Sequence, residues 1–432
     1  MPILSLKDNS KVIIIGGGPA GCFFALHTLN LIKERGISLN LKILEQRDFT
    51  TAGPKGCNMC AGIIGGRVVD EIGKLGIEIE RKVIREDIDG FRVFLDGMSA
   101  EIKKRAGNRV YTVFRSQGPL GVSEEDEIVG FDSFLLKKTV EKGISFEKAT
   151  VLQVIPGGES ENTVIYRTPD GSEHYEKADL VVVACGVNTA LTRMFDYGYV
   201  PPNYWHTCQA EIQLEKPESV QKIIHIFSRK KSPFLFTALT PKGRYVTVTG
   251  IGRWVKFNDL LYEMEMLSIK KLFPGELKVT CHCHPRIPVS TAEKPYYDRI
   301  VMVGDACVSR YLKNGIESAL FTSLWAAKTA VEQGIDKDSF ERNYKKHYHE
   351  YFTIDNRYGK AMFFLHRIVS SSSILSRSSI NILKEEAKSQ EKQHWLSDIL
   401  WHMFAGDKPY RRIFRKMIIL SKLYLILKNI FR

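Results

Sequence analysis

No run of eighteen uncharged apolar residues occurs in the 432-residue chain, so no ordinary transmembrane helix is expected. Cysteine is scarce: eight thiols in 432 residues are too few for a disulfide scaffold. A strand-like apolar run starts at Lys11, which leaves no room for a secretory leader. These absences predict a reducing, cytoplasmic setting. The G-x-S-x-G elbow, the phosphate-binding G-x-x-x-x-G-K-[ST] loop and the H-E-x-x-H zinc motif are also missing. What remains is 44% hydrophobic and 26% charged, long enough for two or three domains with a sizeable core.

Acids are absent from residues 408–432, which carry eight Lys and Arg and so account for +8 of the net charge of +13. The body is therefore nearly neutral for its size. A nucleic-acid enzyme carries its basic residues around the site that acts, so no nucleic-acid partner is expected. A basic tail on such a body points to a surface anchor.

The strongest motif lies near the start. KVIII (11–15) is a short β-branched run suited to a buried parallel strand. Gly16, Gly18 and Gly21 follow in G-x-G-x-x-G spacing, then a helix over 22–34 ending at Gly36. The next strand, LNLKILE, ends at Glu45. Gly16 permits the tight turn, Gly18 lets the backbone approach a pyrophosphate, and Gly21 lets helix and strand pack closely. Glu45 can accept hydrogen bonds from a ribose diol. The order of strand, glycines, helix, strand and acid predicts a dinucleotide fold, with NAD or FAD as ligand.

Residues 299–305, RIVMVGD, form a late strand ending in Gly304-Asp305, and Asn314-Gly315-Ile316 opens a long helix that stops at Gly334. Here the chain resembles the flavoprotein superfamily of aromatic hydroxylases and geranylgeranyl reductases. The resemblance implies FAD, with Asp305 on its ribityl chain and the amides near Gly315 and Ile316 facing the flavin pyrimidine ring. A helix N-terminus suits the negative charge of a reduced flavin. FRSQGP (114–119) and GFDSFLLKKTVEKG (130–143) resemble the superfamily's arginine-and-FD segment, making Arg115 a candidate FAD contact. ADLVVVACG (178–186) resembles the strand before its third motif. Two departures stand out: Cys185-Gly186 replaces the hydroxylases' Asp-Gly, and no proline lies between Asp305 and Gly315. The electron donor is therefore left open between NAD(P)H and a reduced electron carrier protein.

PKGCNMCAGIIGG (54–66) resembles the proline-and-cysteine loop of geranylgeranyl reductases, where a cysteine lies beside flavin and substrate. Either Cys57 or Cys60 can match it. In VTCHCHPRIP, strand periodicity puts Cys281 and Cys283 on one face and His282 and His284 on the other. Three readings compete for these thiols: pocket-lining residues, a four-thiolate zinc or iron–sulfur site, and a redox-active Cys57/Cys60 pair. No metal is assigned.

The expected fold class is α/β. A FAD-binding dinucleotide fold, with a parallel sheet flanked by helices, is interleaved with an antiparallel-sheet substrate domain and followed by a helical C-terminal region. The cofactor domain is expected to be discontinuous over 1–85, 110–200 and 285–335, with the substrate domain at 86–109 and 201–284. A helical region follows at 336–407, with the serine-rich 369–381 as linker or capped turn. Residues 408–432 form a basic tail, in which 417–431 is about 22 Å as a helix, short of the roughly 30 Å hydrocarbon core. Arg411, Arg415, Lys422 and Asn429 share one stripe, so this helix is expected to lie on an anionic membrane surface. The resemblance implies an oxidoreductase that moves hydride from reduced FAD to a double bond of an isoprenoid or other lipid-soluble substrate, and the tail predicts a peripheral place on the membrane. Cys57 or Cys60 is the candidate proton donor. Electron transfer to a membrane quinone and flavin-dependent monooxygenation are the alternatives.

Overall fold

The computed structural model describes residues 4–58, 60–122, 127–158, 160–187, 197–216, 221–267, 269–273, 275–389 and 394–418. Its centre is a six-stranded sheet in the order Tyr296–Tyr297, Ile300–Met302, Leu180–Val183, Ser10–Ile15, Leu39–Glu45, Ser145–Lys148. All neighbours are parallel except the first pair. Val12–Ile15 and Leu180–Val183 are buried at every position. Continuous burial is what a parallel sheet covered on both faces demands, and it explains the unbroken apolar runs. The helices Pro19–Arg35 and Gly315–Glu332 pack against each other, and Phe131–Glu141 packs on the first of them. Gly36 ends the first helix in the left-handed conformation at φ 66°.

A second, eight-stranded sheet runs Leu277–Cys283, Tyr204–Leu214, Tyr245–Gly252, Phe236–Lys242, Ile223–Ser228, Gly90–Leu95, Met98–Lys103, with Arg286–Pro288 also paired to Tyr204–Leu214. It departs from the all-antiparallel expectation at one seam, where Ile223–Ser228 and Gly90–Leu95 run parallel. Period-two alternation specifies faces, not strand direction, so sequence could not show this. A small sheet of Ile63–Gly65, Val110–Val113 and Ile84–Asp87 joins the two.

From Lys337 onward the described chain is helical. The serine-rich stretch forms the end of Ile354–Ser371 and most of Ser373–Lys388, joined only at Ser372. The Ser372 hydroxyl accepts from the Leu375 N–H, so the capped turn is real but there is no linker. Trp401 packs edge-on against Phe91 at 5.0 Å between ring centroids, which fastens Trp395–Ala405 to the second sheet. The last described helix is Tyr410–Met417. The tail beyond 418, with Lys422 and Asn429, lies outside the described residues. Among the described residues no helix is long and apolar enough to cross a membrane.

The candidate cofactor and substrate cavity

One cavity, about 1890 Å³ of empty space counting its open mouth, lies between the two sheets. Its floor is the glycine turn that follows the Ser10–Ile15 strand. Gly16 adopts φ 110°, and a side chain on Gly21 would sit 1.9 Å from the Gly16 carbonyl oxygen, so the helix is seated directly on the strand end. Gly16, Gly18 and Glu45 line the cavity. The Glu45 carboxylate accepts from the N–H groups of Gly17 and Arg47, both at 2.8 Å. Burial pushes its pKa up, against the pull of those two amides.

The late motif closes the other side. Asp305, Gly315 and Ile316 line the cavity. Asp305 Oδ1 is buried without a hydrogen-bond partner, and burial raises the pKa of this carboxyl. Gly304 stands behind it, its N–H bonded to the Thr322 hydroxyl at 2.8 Å. The N-termini of Pro19–Arg35 and Gly315–Glu332 both open on this space, so two sets of unpaired N–H groups face it.

Arg115 is locked at the cavity wall. Its guanidinium grips Asp132 through Nε at 2.7 Å and Nη2 at 3.0 Å. Its Nη1 donates to Cys60 Sγ at 3.1 Å. Burial alone would lower the guanidinium's pKa, but the Asp132 carboxylate outweighs this and raises it. Asp132 also accepts from Asn58, and Asn58 from Arg47, which further bonds the Cys57 carbonyl at 2.6 Å. Asn58, Asp132 and Arg47 thus hold the cysteine loop over the glycine turn. Sequence reasoning did not single them out; the asparagine between the two cysteines and the acid of the FD pair were the available signals.

The roof is one face of the second sheet. Thr207 and Gln209, Thr249 and Ile251, and Phe236 and Ala238 sit side by side across three strands and line the cavity. Cys283 pairs with Gln209 and Cys281 with Glu211 on the same face. The structure brings the four clustered cysteines together: Cys283 feels the charges of Cys57, Cys281 and Cys60. Cys60 lines the cavity. Burial pushes the Cys281 thiol up to about 11 and raises Cys283 as well. None of the eight cysteines is in a disulfide. Among the described residues no group of three or more His, Cys, Asp or Glu is placed to hold a metal ion. His282 and His284 point to the opposite face, where His282 stacks on Phe257 and His284 on His206.

No family model and no curated protein matches the chain. Solved structures do. A geranylgeranyl bacteriochlorophyll reductase-like protein from Thermoplasma acidophilum aligns over 97% of this chain and 99% of its own, with TM-score 0.70 and 16% identity. A flavoprotein/dehydrogenase from Cytophaga hutchinsonii aligns over 98% and 99%, with TM-score 0.64 and 16% identity. The myxobacterial chondrochloren halogenase, a FAD-dependent halogenase, aligns over 98% and 97%, with TM-score 0.60 and 16% identity. The chain has the fold these flavoproteins share, which is the fold expected from its motifs.

Proposed function

We propose that the chain is a FAD-dependent oxidoreductase that reduces carbon–carbon double bonds of an isoprenoid chain. The observation that carries this reading is a single cavity joining a dinucleotide cradle to an apolar end walled by Phe236, Ala238, Ile251, Ile287, Leu312 and Phe404. The cradle fits FAD. The turn at Gly16 and Gly18 and the helix start at Pro19 suit a pyrophosphate, and Glu45 suits a ribose diol. The orphaned Asp305 Oδ1 needs a hydroxyl donor, and the Gly315–Ile316 amides suit an electron-rich ring. Arg115 braces the wall beside them. When bound, FAD supplies the hydride; the protein orients the alkene and excludes water. The reductase-like protein of the same fold adds support. The basic tail, continued by Arg411, Arg412, Arg415 and Lys416 on the last described helix, supports a peripheral place on an anionic membrane.

The test is anaerobic. The flavin is reduced with dithionite, lipids with unsaturated isoprenoid chains are added, and reoxidation is followed by absorbance. Reoxidation with a matching gain of hydrogen on the lipid is expected. Reoxidation by quinones alone would replace this reading with electron transfer. Substrate-triggered oxygen uptake would replace it with monooxygenation, the activity named for another protein of this fold, the p-nitrophenol 4-monooxygenase from Pseudomonas putida.

A further inference from the structure

Lys313 lies two residues before the Gly315–Glu332 helix and lines the apolar end of the cavity. Its Nζ is 5.4 Å from the Phe236 ring centroid and 5.8 Å from that of Phe404. It donates to the Phe404 carbonyl at 3.0 Å. Among the described residues that carbonyl is its one hydrogen-bond partner, and no carboxylate pairs with it. Several of the charged groups around it are engaged elsewhere. On its own loop, Arg310 is bound by Glu317 and Asp355. On the Trp395–Ala405 helix, His402 bonds Asp407 and Lys408 just beyond the helix end. Across the cavity Arg115 is held by Asp132, while Asp305 and Arg286 also face the space. Removal from water lowers the Lys313 amine to about 8. The two ring faces offset only part of that cost.

We propose that Lys313 is the acid that protonates the substrate carbon next to the one receiving hydride, a role that rests on the reductase reading above. The π bond breaks and two C–H bonds form, one from hydride and one from the Nζ proton. The flavin loses two electrons per turn. Lys313 is left as a neutral amine and regains its proton from water. The thiols are worse placed. Cys60 Sγ accepts from Arg115 and from the Gly62 N–H, so its lone pairs face donors. Cys281 and Cys283 hold their protons more tightly than ordinary thiols. An amine that titrates near neutrality holds a proton at working pH and still gives it up.

The test compares wild type, Lys313→Arg and Cys60→Ser in the anaerobic reoxidation assay between pH 6 and 10. Wild-type rates are expected to fall about tenfold per pH unit above roughly pH 8, as for one essential acid. Lys313→Arg keeps the cation but cannot release its proton. It is expected to lose roughly 10²–10⁴-fold and the alkaline limb with it, with flavin content and dithionite reduction unchanged. Cys60→Ser is expected to keep the limb. A second readout needs no turnover: trace acetylation of the holoenzyme, read peptide by peptide, should show Lys313 half-reactive near pH 8. An Arg variant matching wild type in rate and pH profile overturns the proposal alone, as does half-reactivity near pH 10. A wild type that no unsaturated chain reoxidises overturns the reductase reading and the proposal together.

Discussion

Replacing Lys313 by Met in protein freed of flavin should stabilise it at neutral pH. The amine drops from 10.5 to about 8 on folding, because burial disfavours the charged form. The unfolded chain therefore binds more protons between those values, and stability rises with pH across that window. Below pH 8 the penalty is fully present. At about 1.4 kcal/mol per unit it amounts to about 3 kcal/mol at pH 7 and under about 1 kcal/mol at pH 10. Met keeps the length of the stem and its contact with the rings of Phe236 and Phe404. It gives up the bond to the Phe404 carbonyl, worth about 1 kcal/mol. The net expected gain at pH 7 is about 2 kcal/mol, read as a rise in Tm of a few degrees. At pH 10 the gain should vanish or reverse. A variant less stable than wild type at pH 7, or a gap that ignores pH, would refute an ammonium whose charge is disfavoured by burial and met by no carboxylate.

The other expectations follow from the same side chains. Asp132→Ala leaves the buried Arg115 guanidinium without its carboxylate, and should cost about 3–5 kcal/mol in chemical denaturation along with flavin content. Asp305→Ala removes an oxygen that has no internal partner, so folding should hold while FAD affinity, followed by flavin fluorescence, weakens about 10–100-fold. Cys281, at about 11, should alkylate slowly at pH 8 and speed up towards pH 11; labelling as fast as an ordinary thiol at pH 8 would contradict its burial beside Glu211.

The cofactor half of the fold was legible because each signal was local. VIII, LVVV and IVM are short runs buried on both faces, and the glycine turn is spelled out within six residues. The faces of the CHCH strand could be read for the same reason. What failed was either directional or remote. The parallel seam at Gly90–Leu95 has the alternation of an antiparallel one. The serines of 369–381 signalled a linker or a capped turn; the capped turn is there at Ser372, but Ser376 bonds back to the Val369 carbonyl and Ser378 is fully packed, so tertiary burial left no linker. Lys313 reads as an ordinary loop lysine in sequence. Its environment is made by Phe404, 91 residues later, and by a strand of the other sheet.

That remoteness gives the C-terminal helices a part in the site. Arg310, fully buried, bonds Glu317 at 3.0 Å and the Lys408 carbonyl at 2.9 Å. Asp355 accepts from the N–H groups of Tyr410 and Arg411 at 2.8 and 2.9 Å, a carboxylate at a helix N-terminus where the dipole favours it. Tyr410 in turn donates to the Tyr311 carbonyl at 2.7 Å, and Asn314 to that of Gly406. The loop from Arg310 to Asn314 is thus clamped from outside by the segment 404–411. Without Phe404 over it, the Lys313 amine would meet water and its pKa would return towards 10.5. Part of the cover that sets this residue apart is therefore supplied by the last described helices.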